Sequence, residues 1–506
     1  MKRFRQGVTF SDFVITGVSS RKPRDISPQQ DPIFGRWLWV IAIVALVTLL
    51  ARLVNLQIFS GGKYRILADE NRIRTITIPA PRGKILDDGL KSLEDTPANG
   101  SLLGFVGEIN AQEVGLLSLN NKYQIKDLIG RAGLQKQYED TLKGVNGGRI
   151  VEVNTKGTVE RDLGEKPAVP GNNLQTNIRS DLQKIAYEGL SGKNGAVIVS
   201  EPQTGKVLAI VSVPALFNRV LGGIYPPGST FKMVTTVAAL SEKKVGKYFT
   251  VDDVGTLDVA GFKYSNWFFT QYGKTEGVVG FEKALARSND IFFYKLGGEV
   301  GAELIAKWAR ILGYGQATGI DMPGEVAGLV PTPAWKEKFK GEKWFLGNTY
   351  HMAIGQGDVL ATPVQVNLMT NILATNKKCK LHISSTPGVE CPDVKIDPEI
   401  LEIIKRGMIG ACKDGGTAFP FFVWDGPEVA CKTGTAEYIN DKGKYGTHAW
   451  FTIFAPAEDP QISVTVLVEG GGEGSRTATP IARKILSAYF NVEDKYNYGV
   501  IVGQGE

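Results

Sequence analysis

Three short segments of the chain carry side chains that together suit acyl transfer through a serine. The first, Ser229-Thr-Phe-Lys232, follows a Tyr-Pro-Pro-Gly run and opens an apolar stretch that predicts a buried helix. Residues three positions apart lie on one face of a helix, so Lys232 is expected to reach the Ser229 hydroxyl. Burial lowers the pKa of a lysine, which would let Lys232 take the serine proton, and the helix N-terminus would stabilise an oxyanion.

The Ser-x-x-Lys pattern is weak by itself, because it also occurs at Ser60–Lys63 and Ser241–Lys244. We interpret those two matches as accidental, since one lies in a glycine-rich stalk and the other at the polar end of a helix. For an isolated match, a serine helix cap beside a surface lysine would be the more ordinary interpretation.

Two later segments favour the catalytic interpretation because they follow the first in a fixed order. Ser288-Asn-Asp290 lies in a helical or helix-edge stretch, and residues 432–435 read Lys-Thr-Gly-Thr in a strand-like setting. Alternation along a strand puts Lys432 and Gly434 on one face, where a glycine lets a ligand approach the backbone. A helix cap or an ordinary strand residue would explain each segment singly. Their joint occurrence is typical of active-serine penicillin-recognising enzymes.

The elements around these segments predict a mixed α+β fold. Residues 194–214 and 448–470 each show two apolar strands joined by a short turn, and a mostly helical section lies between them. Strand runs that enclose a helical section indicate an antiparallel sheet flanked by helices. The length of 506 residues predicts more than one domain.

An apolar run near the N-terminus predicts a membrane anchor. Residues 37–51 carry no charge and lie between Arg36 and Arg52. A span needs ~20 apolar residues, so we expect both arginines to snorkel around a helix over 33–54. A core helix would show polar positions at helical spacing, and a cleaved signal peptide would begin nearer residue 1. Basic residues are balanced on the two sides, so the positive-inside rule does not orient the anchor.

The composition excludes several classes of protein. With 43% hydrophobic and 22% charged residues, the chain is neither disordered nor a multi-spanning membrane protein. A net charge of +6 is too small to argue for nucleic acid, and no nucleic-acid partner is predicted. Only three histidines and four cysteines are present, which argues against a histidine-rich metal site.

Several segments resemble the signature segments of class B penicillin-binding proteins: YPPGSTFK, GIDMPGE, AIGQGDVLATPVQ, CKTGTAE and HAWFTIFAP. The segment WFLGNTYHMAIGQGDVLATP is similar to the elongation-type group, penicillin-binding protein 2, rather than to the division-type group. The resemblance implies a membrane-anchored peptidoglycan D,D-transpeptidase that is inhibited by β-lactams and needs no cofactor. It also implies a membrane glycosyltransferase of the SEDS type as partner, and a catalytic domain on the extracytoplasmic side of the cytoplasmic membrane.

The resemblance also implies a role for each residue of the three segments. Ser229 would attack the penultimate D-Ala carbonyl of a stem peptide, and Lys232 would take the serine proton. Ser288 would pass a proton to the leaving amine, while Asp290 would hold the hydrogen-bond network. The oxyanion hole would be formed by the backbone N–H groups of Ser229 and Thr435. The substrate-binding residues would be Lys432, Thr433, Gly434 and Thr435.

The implied domain order departs from the family in one respect. We expect a cytoplasmic tail (1–36), a transmembrane anchor (37–56), a shortened β-rich pedestal domain (57–172), a transpeptidase domain (173–490) and a C-terminal tail (491–506). The pedestal is short because only a brief linker stands where family members usually insert a head subdomain.

Two further departures concern the catalytic region. The middle segment usually ends in Asn, whereas Asp290 accepts hydrogen bonds but, when ionised, cannot donate one. Some elongation-type members carry a zinc site between the first two segments. Residues 233–287 contain no His or Cys, so no metal site is predicted here.

Two disulfides, Cys379–Cys391 and Cys412–Cys431, are expected as one of two alternatives in an exported domain. The second bond would brace the Lys-Thr-Gly strand against a neighbouring helix. The alternative is that two or more of the cysteines are free buried thiols.

Other functions are alternatives to the elongation-type transpeptidase. They are a division-type transpeptidase, a D,D-carboxypeptidase, a class D-like β-lactamase, and a β-lactam sensor or scaffold for a glycosyltransferase. A soluble β-lactamase would need neither anchor nor pedestal, and a sensor would need a larger cytoplasmic effector than residues 1–36 provide.

Overall fold

A computed structural model describes the chain over most of its length. The expected tails fall partly outside the described residues, namely 1–31 of the N-terminal tail and 499–506 of the C-terminal tail. The described ranges are 32–117, 123, 125–154, 156–385, 388–439 and 443–498. The described residues within Met1–Thr77 and Gly148–Lys166 form one compact unit, and those within Ile78–Gly147 and Pro167–Glu506 form the other.

The described chain contains short strands and helices, and its described residues between 281 and 412 form seven helices in succession without a strand between them. The helices are α1 Pro32–Val54, α2 Gly61–Arg72, α3 Gly100–Leu103, α4 Ala111–Leu117, α5 Gly133–Gln137, α6 Glu139–Leu142, α7 Ser180–Gly189, α8 Arg219–Gly222, α9 Lys232–Ser241, α10 Trp267–Tyr272, α11 Phe281–Ala286, α12 Asp290–Val300, α13 Ala302–Ile311, α14 Pro333–Lys340, α15 Leu346–Ala353, α16 Pro363–Thr375, α17 Pro398–Cys412 and α18 Gly474–Phe490. The strands are β1 Ile73–Ile78, β2 Ile85–Leu86, β3 Val106–Glu108, β4 Leu128–Gly130, β5 Gly147–Val153, β6 Val159–Lys166, β7 Leu174–Gln175, β8 Gly195–Ser200, β9 Val207–Val213, β10 Val251–Asp253, β11 Thr256–Val259, β12 Phe262–Ser265, β13 Gly277–Val279, β14 Ala430–Ile439, β15 Tyr445–Ala455 and β16 Ile462–Val468.

The predicted apolar helix is present and is longer than the uncharged run. Helix α1 continues into a π-helical turn at Asn55–Phe59, so the apolar helical segment extends over Arg36–Phe59, 24 residues. At 1.5 Å per residue it reaches ~36 Å, enough for a hydrocarbon core of ~30 Å. Its apolar side chains are exposed, as expected for a surface that faces lipid. In the part of the chain that the structure describes, it is the one helix long and apolar enough to span a membrane.

The first unit also contains a small sheet, in which β5 lies between β1 and β6. Strands β5 and β6 are antiparallel, with register shifts next to Val151 and Val153 that mark bulges.

The second unit is built on a five-stranded antiparallel sheet in the order β14-β15-β16-β8-β9. Both predicted hairpins are present, as β8–β9 and β15–β16, and they meet where β16 pairs with β8. Strand β14 lies at the edge, and its Lys432 and Gly434 stand opposite Thr452 and Trp450 of β15. The predicted α+β fold with an antiparallel sheet flanked by helices is confirmed.

Helices cover both faces of this sheet, which explains why its central strands carry apolar residues on both faces. Ala196 and Ile198 of β8 face a cluster formed with α9, α12 and α16, whereas Val197 and Val199 face α7 and α18. Every residue of β8 and β16 is buried.

A buried polar network joins the sheet to α16. The Ser200 hydroxyl of β8 donates to the side-chain oxygen of Asn367 at 2.6 Å and accepts from the side-chain amide of Asn371 at 2.9 Å. The Asn367 amide donates in turn to the hydroxyl of Ser463 on β16 at 3.1 Å. A buried polar network is stable only when its members are satisfied, so this one holds α16 in a defined position over β8 and β16.

The cysteines lie in the two pairs that the sequence suggested. The sulfur atoms of Cys379 and Cys391, and those of Cys412 and Cys431, are within bonding distance. Cys412 is the last residue of α17, and Cys431 directly precedes Lys432 on β14. We propose that both bonds form in the exported domain, and that the second ties the catalytic strand to α17.

We predict that the Cys412→Ser/Cys431→Ser double variant of the full-length protein has a lower thermal unfolding midpoint than the wild type. A bond that closes a loop of this length contributes ~3 kcal/mol by restricting the unfolded chain. The matched control is Cys379→Ser/Cys391→Ser, which opens a shorter loop and is expected to lower the midpoint less. Non-reducing peptide mapping of the wild type must find both pairs, and free thiols at Cys412 and Cys431 would contradict the bond.

Candidate active site

Ser229 lies in a 3-10 turn, Gly228–Phe231, that leads directly into α9. The preceding Gly228 has a φ of 53°, and a Cβ on it would stand 2.8 Å from the carbonyl oxygen of Thr435. Only a glycine fits such a backbone conformation and so close an approach. The turn that carries Ser229 is therefore in direct contact with the Lys-Thr-Gly strand.

Two hydrogen bonds fix the position of this turn. The backbone N–H of Gly228 donates to the carbonyl of Gly355 at 2.9 Å, and the indole of Trp450 donates to the carbonyl of Pro226 at 2.9 Å. Gly355 belongs to the AIGQGDVLATPVQ segment, and a Cβ on it would collide with the Gly228 carbonyl. That segment therefore packs directly against the turn that bears Ser229.

Lys232 is fully buried at the start of α9 and contacts the second segment. Its ammonium donates to the Asp290 carboxylate at 2.6 Å, to the Ser288 carbonyl at 2.7 Å and to the Ser288 hydroxyl at 3.2 Å. These three acceptors match the three N–H bonds of an ammonium. Among the described residues no hydrogen bond joins Lys232 to the Ser229 hydroxyl, and the role of Lys232 as the base stays a prediction.

Ser288 occupies a turn between α11 and α12 rather than a helix. Its φ is 55°, its N–H donates to the Leu285 carbonyl at 3.3 Å, and the next N–H, of Asn289, donates to the Ala284 carbonyl at 2.9 Å. This pair of bonds is the helix-ending motif in which glycine usually takes the left-handed position. A residue with a Cβ there costs ~1–2 kcal/mol. The helix cap is Asn289, whose side chain accepts from the Phe292 N–H at 2.9 Å.

Lys432 also contacts the hydroxyl of Ser288. It is fully buried, and its side-chain amine donates to the Ser288 hydroxyl at 2.9 Å and to the Thr433 carbonyl at 3.0 Å. The structure thus brings Ser288 and Asp290 together with both lysines, and the hydroxyl of Ser288 lies between the two amines.

Lys232, Lys432 and Asp290 affect one another's charge in this pocket. Burial lowers the pKa of Lys232, and the Asp290 carboxylate partly offsets that effect. Burial lowers the pKa of Lys432 further, well below its ordinary value, and the neighbouring Lys232 adds to the lowering. One carboxylate faces two amines, so the pocket favours one ammonium over two. The hydroxyl between them suits proton transfer from one amine to the other.

The remaining residues of the third segment have different surroundings. The Thr433 and Thr417 hydroxyls are hydrogen-bonded at 2.8 Å, and the Thr435 carbonyl accepts from the Gln356 amide at 3.4 Å. A Cβ on Gly434 would stand 2.9 Å from the Trp450 Cβ and 3.1 Å from the Thr230 methyl. The glycine therefore makes room for protein atoms, and its role in letting a ligand approach the backbone stays a prediction.

Two residues that sequence reasoning missed orient Asp290. The side-chain oxygen of Asn266 accepts from the Asp290 N–H at 3.1 Å, and the Trp267 N–H donates to the Asp290 carboxylate at 3.1 Å. The only sequence signal for them is the presence of Asn266 before a helical stretch, which is common at caps. Over the described ranges, no group of three or more His, Cys, Asp or Glu side chains is placed to hold a metal ion.

Comparisons with known proteins agree with this geometry. The penicillin binding protein transpeptidase domain matches residues 195–487, more than half of the chain, and the penicillin-binding protein dimerisation domain matches residues 94–176. The peptidoglycan D,D-transpeptidase MrdA of Haemophilus influenzae is 33% identical over 78% of this chain and 69% of its own length. MrdA of Escherichia coli K12 is 31% identical over 76% of this chain and 69% of its own length.

Solved structures give the same result. PBP2 of Pseudomonas aeruginosa in complex with WCK 5153 is similar with a TM-score of 0.72 and 31% identity, over 82% of this chain and 96% of that one. Helicobacter pylori PBP2 in complex with MreC shares the fold, with a TM-score of 0.73 and 24% identity over 83% of this chain and 99% of that one. The chain belongs to the elongation-type penicillin-binding proteins, the membrane-anchored peptidoglycan D,D-transpeptidases that the sequence predicted.

Proposed function

We propose that this transpeptidase acts through an acyl-enzyme on Ser229. The Ser229 oxygen bonds to the penultimate D-Ala carbonyl carbon of a stem peptide, the peptide C–N bond breaks, and the terminal D-Ala leaves with a proton on its amine. The amine of a second stem peptide then attacks the ester, which forms the crosslink and restores the serine. The observation that carries the proposal is the convergence of Lys232 and Lys432 on Ser288, beside the turn that bears Ser229.

The contacts of the two lysines support a specific order of proton transfers. Before substrate binds, Lys232 is the better stabilised ammonium because the Asp290 carboxylate lies 2.6 Å away. The terminal carboxylate of a stem peptide would stabilise the charge on Lys432 instead. A proton would then pass from Lys232 through the Ser288 hydroxyl to Lys432, and the neutral Lys232 would accept the proton of Ser229. Ser288 would return a proton to the leaving amine.

The other roles follow from the same arrangement. We infer that Lys432 and the Thr435 hydroxyl bind the substrate carboxylate, with Thr433 supporting through its bond to Thr417. The backbone N–H groups of Ser229 and Thr435 form the oxyanion hole, and the close approach of Gly228 to the Thr435 carbonyl supports that pairing.

The anchor and the relatives support a location and a partner. We propose that α1 crosses the cytoplasmic membrane and that the catalytic unit lies on its extracytoplasmic side, where peptidoglycan is assembled. One similar structure, 26% identical with a TM-score of 0.72 over 90% of this chain, is described as a peptidoglycan synthase complex that coordinates polymerization and crosslinking. A membrane glycosyltransferase of the SEDS type is the partner that fits this chemistry.

We predict that Ser229→Ala abolishes covalent labelling by fluorescent penicillin. The label is an ester with the serine oxygen, which alanine lacks. The matched control is Ser241→Ala, which removes the serine of another Ser-x-x-Lys match and is expected to label like the wild type. Equal labelling of Ser229→Ala and the wild type refutes the assignment of the nucleophile.

We predict that Asp290→Asn moves the acidic limb of the pH–acylation profile to lower pH. The carboxylate raises the pKa of Lys232, so its removal leaves the amine neutral, and able to accept a proton, at more acidic pH. The measurement is the rate of acylation by fluorescent penicillin as a function of pH. An unmoved acidic limb would show that Lys232 is not the base.

We predict crosslinking rather than hydrolysis when a stem-peptide donor and an amine acceptor are supplied together. A transpeptidase partitions the acyl-enzyme to the amine, whereas a D,D-carboxypeptidase gives the same hydrolysed product with or without it. Mass spectrometry of the products distinguishes the two activities.

A further inference from the structure

Asp253, the last residue of β10, is a buried carboxylate surrounded by neutral donors. It is 1% exposed, and one of its oxygens accepts from the Gly255 N–H at 2.8 Å. Its other oxygen accepts from the Asn289 amide at 2.7 Å, the Asn266 amide at 2.8 Å and the Glu276 N–H at 3.2 Å. No lysine, arginine or histidine within the described ranges forms an ion pair with it. A carboxylate buried in this way is stable only while its donors stay in place.

Besides the nearby Gly255, the other three donors come from three separate segments, one of which is the second catalytic segment. Asn266 directly precedes α10, Asn289 lies between Ser288 and Asp290, and Glu276 directly precedes β13. Strand β13 also pairs with β10, opposite Asp253 itself. Asp253 therefore joins the second catalytic segment to the β10–β13 ladder.

Asn266 and Asn289 each contact Asp253 with the amide nitrogen and a backbone N–H with the side-chain oxygen. Each donates its amide N–H to Asp253 and accepts with its oxygen: Asn289 from the Phe292 N–H, and Asn266 from the Asp290 N–H. Since the amide can face Asp253 in only one orientation, the oxygen of each asparagine is fixed as an acceptor. The position of Asp290 therefore depends on Asn266, and that of the Ser288 turn depends on Asn289.

The Ser288 turn needs such support because its backbone is left-handed at a residue other than glycine. A strained residue of this kind persists only where its surroundings determine its conformation. The hydrogen bond from Asn289 to Asp253 acts on the residue next to Ser288, where the chain leaves the strained position.

We propose that Asp253 is the positioning residue of the second catalytic segment. Through Asn289 and Asn266 it holds Ser288 and Asp290 where both reach Lys232. The proposal rests on the proposed roles of Ser288 and Asp290, and Asp253 itself contacts neither the nucleophile nor the lysines. A carboxylate is required because four donors converge on it, and an asparagine at this position would turn its own N–H bonds toward at least one of them.

The test is Asp253→Asn in the full-length, membrane-anchored protein, with fluorescent penicillin as the probe. We expect acylation at saturating probe to slow by about tenfold to a hundredfold, the loss typical of a hydrogen bond to a charged group. Probe binding before acylation is expected to be unchanged, because β14 is untouched. The acidic limb of the pH–acylation profile is expected to move to lower pH, as in Asp290→Asn, because the Asp290 carboxylate no longer stays beside Lys232.

Asp321→Asn is the matched control. Asp321 also accepts backbone N–H groups, from Ile383 at 2.6 Å and Ser384 at 2.9 Å, but does not contact the second segment. It is expected to leave the pH profile unmoved even if stability falls. The double variant Asp253→Asn/Asp290→Asn is expected to acylate no more slowly than the slower single variant, because the two residues act through one path.

Several outcomes would overturn the proposal. They are wild-type acylation by folded Asp253→Asn, a full additive loss in the double variant, or the same pH shift in Asp321→Asn. If Asp253→Asn does not fold, Asn266→Ala removes one link of the path, and an unmoved pH profile in that variant likewise contradicts the proposal. Labelling of Ser229→Ala would refute the proposed function instead, so the two failures are distinguishable.

Discussion

Two buried amines share one carboxylate around the hydroxyl of Ser288, and the rest of the catalytic unit is arranged to hold them there. Lys232 and Lys432 are both fully buried, and Asp290 is the acidic residue that faces them. A second full positive charge in such a pocket is costly without another anion. On the proposed mechanism, a substrate that ends in a carboxylate supplies that anion. Binding of the substrate carboxylate would then also leave Lys232 neutral and able to act as the base. A ligand without the negative group would bind to an enzyme in which Lys232 stays protonated.

The three catalytic segments come from distant parts of the chain, and each is held by a different kind of structure. Lys432 is carried by the edge strand of a sheet whose centre is buried on both faces. Lys232 begins a helix whose next eight residues are all buried. Ser288 and Asp290 depend on neither sheet nor helix interior, but on side chains that cap the surrounding turns. The least regular backbone of the site is therefore the part that is fixed by polar contacts rather than by packing.

Local patterns in the sequence predicted the hairpins, the apolar helix and the three segments, because each depends on neighbours only a few residues away. The contacts of Lys232 were not predictable in that way. Helix spacing pointed it toward Ser229, whereas its hydrogen bonds go to the second segment, which reaches it only through tertiary packing. The crowding around Gly434 was not predictable for the same reason, since the neighbouring atoms belong to Trp450 and Thr230. Nothing in a Ser-Asn-Asp sequence indicates that the backbone of its serine adopts the left-handed conformation.

The backbone contact between Gly228 and Gly355 has a consequence for drug resistance. Neither position has room for a methyl group, and both have a positive φ. On the proposed mechanism, substitutions at these two sites that would reshape the turn bearing Ser229, and so slow its reaction with a β-lactam, are excluded on steric grounds. Changes in side-chain size are sterically easier where side chains have room, as around the half-buried Gln356. At Gly228 and Gly355, therefore, the backbone around Ser229 leaves no room for a side chain.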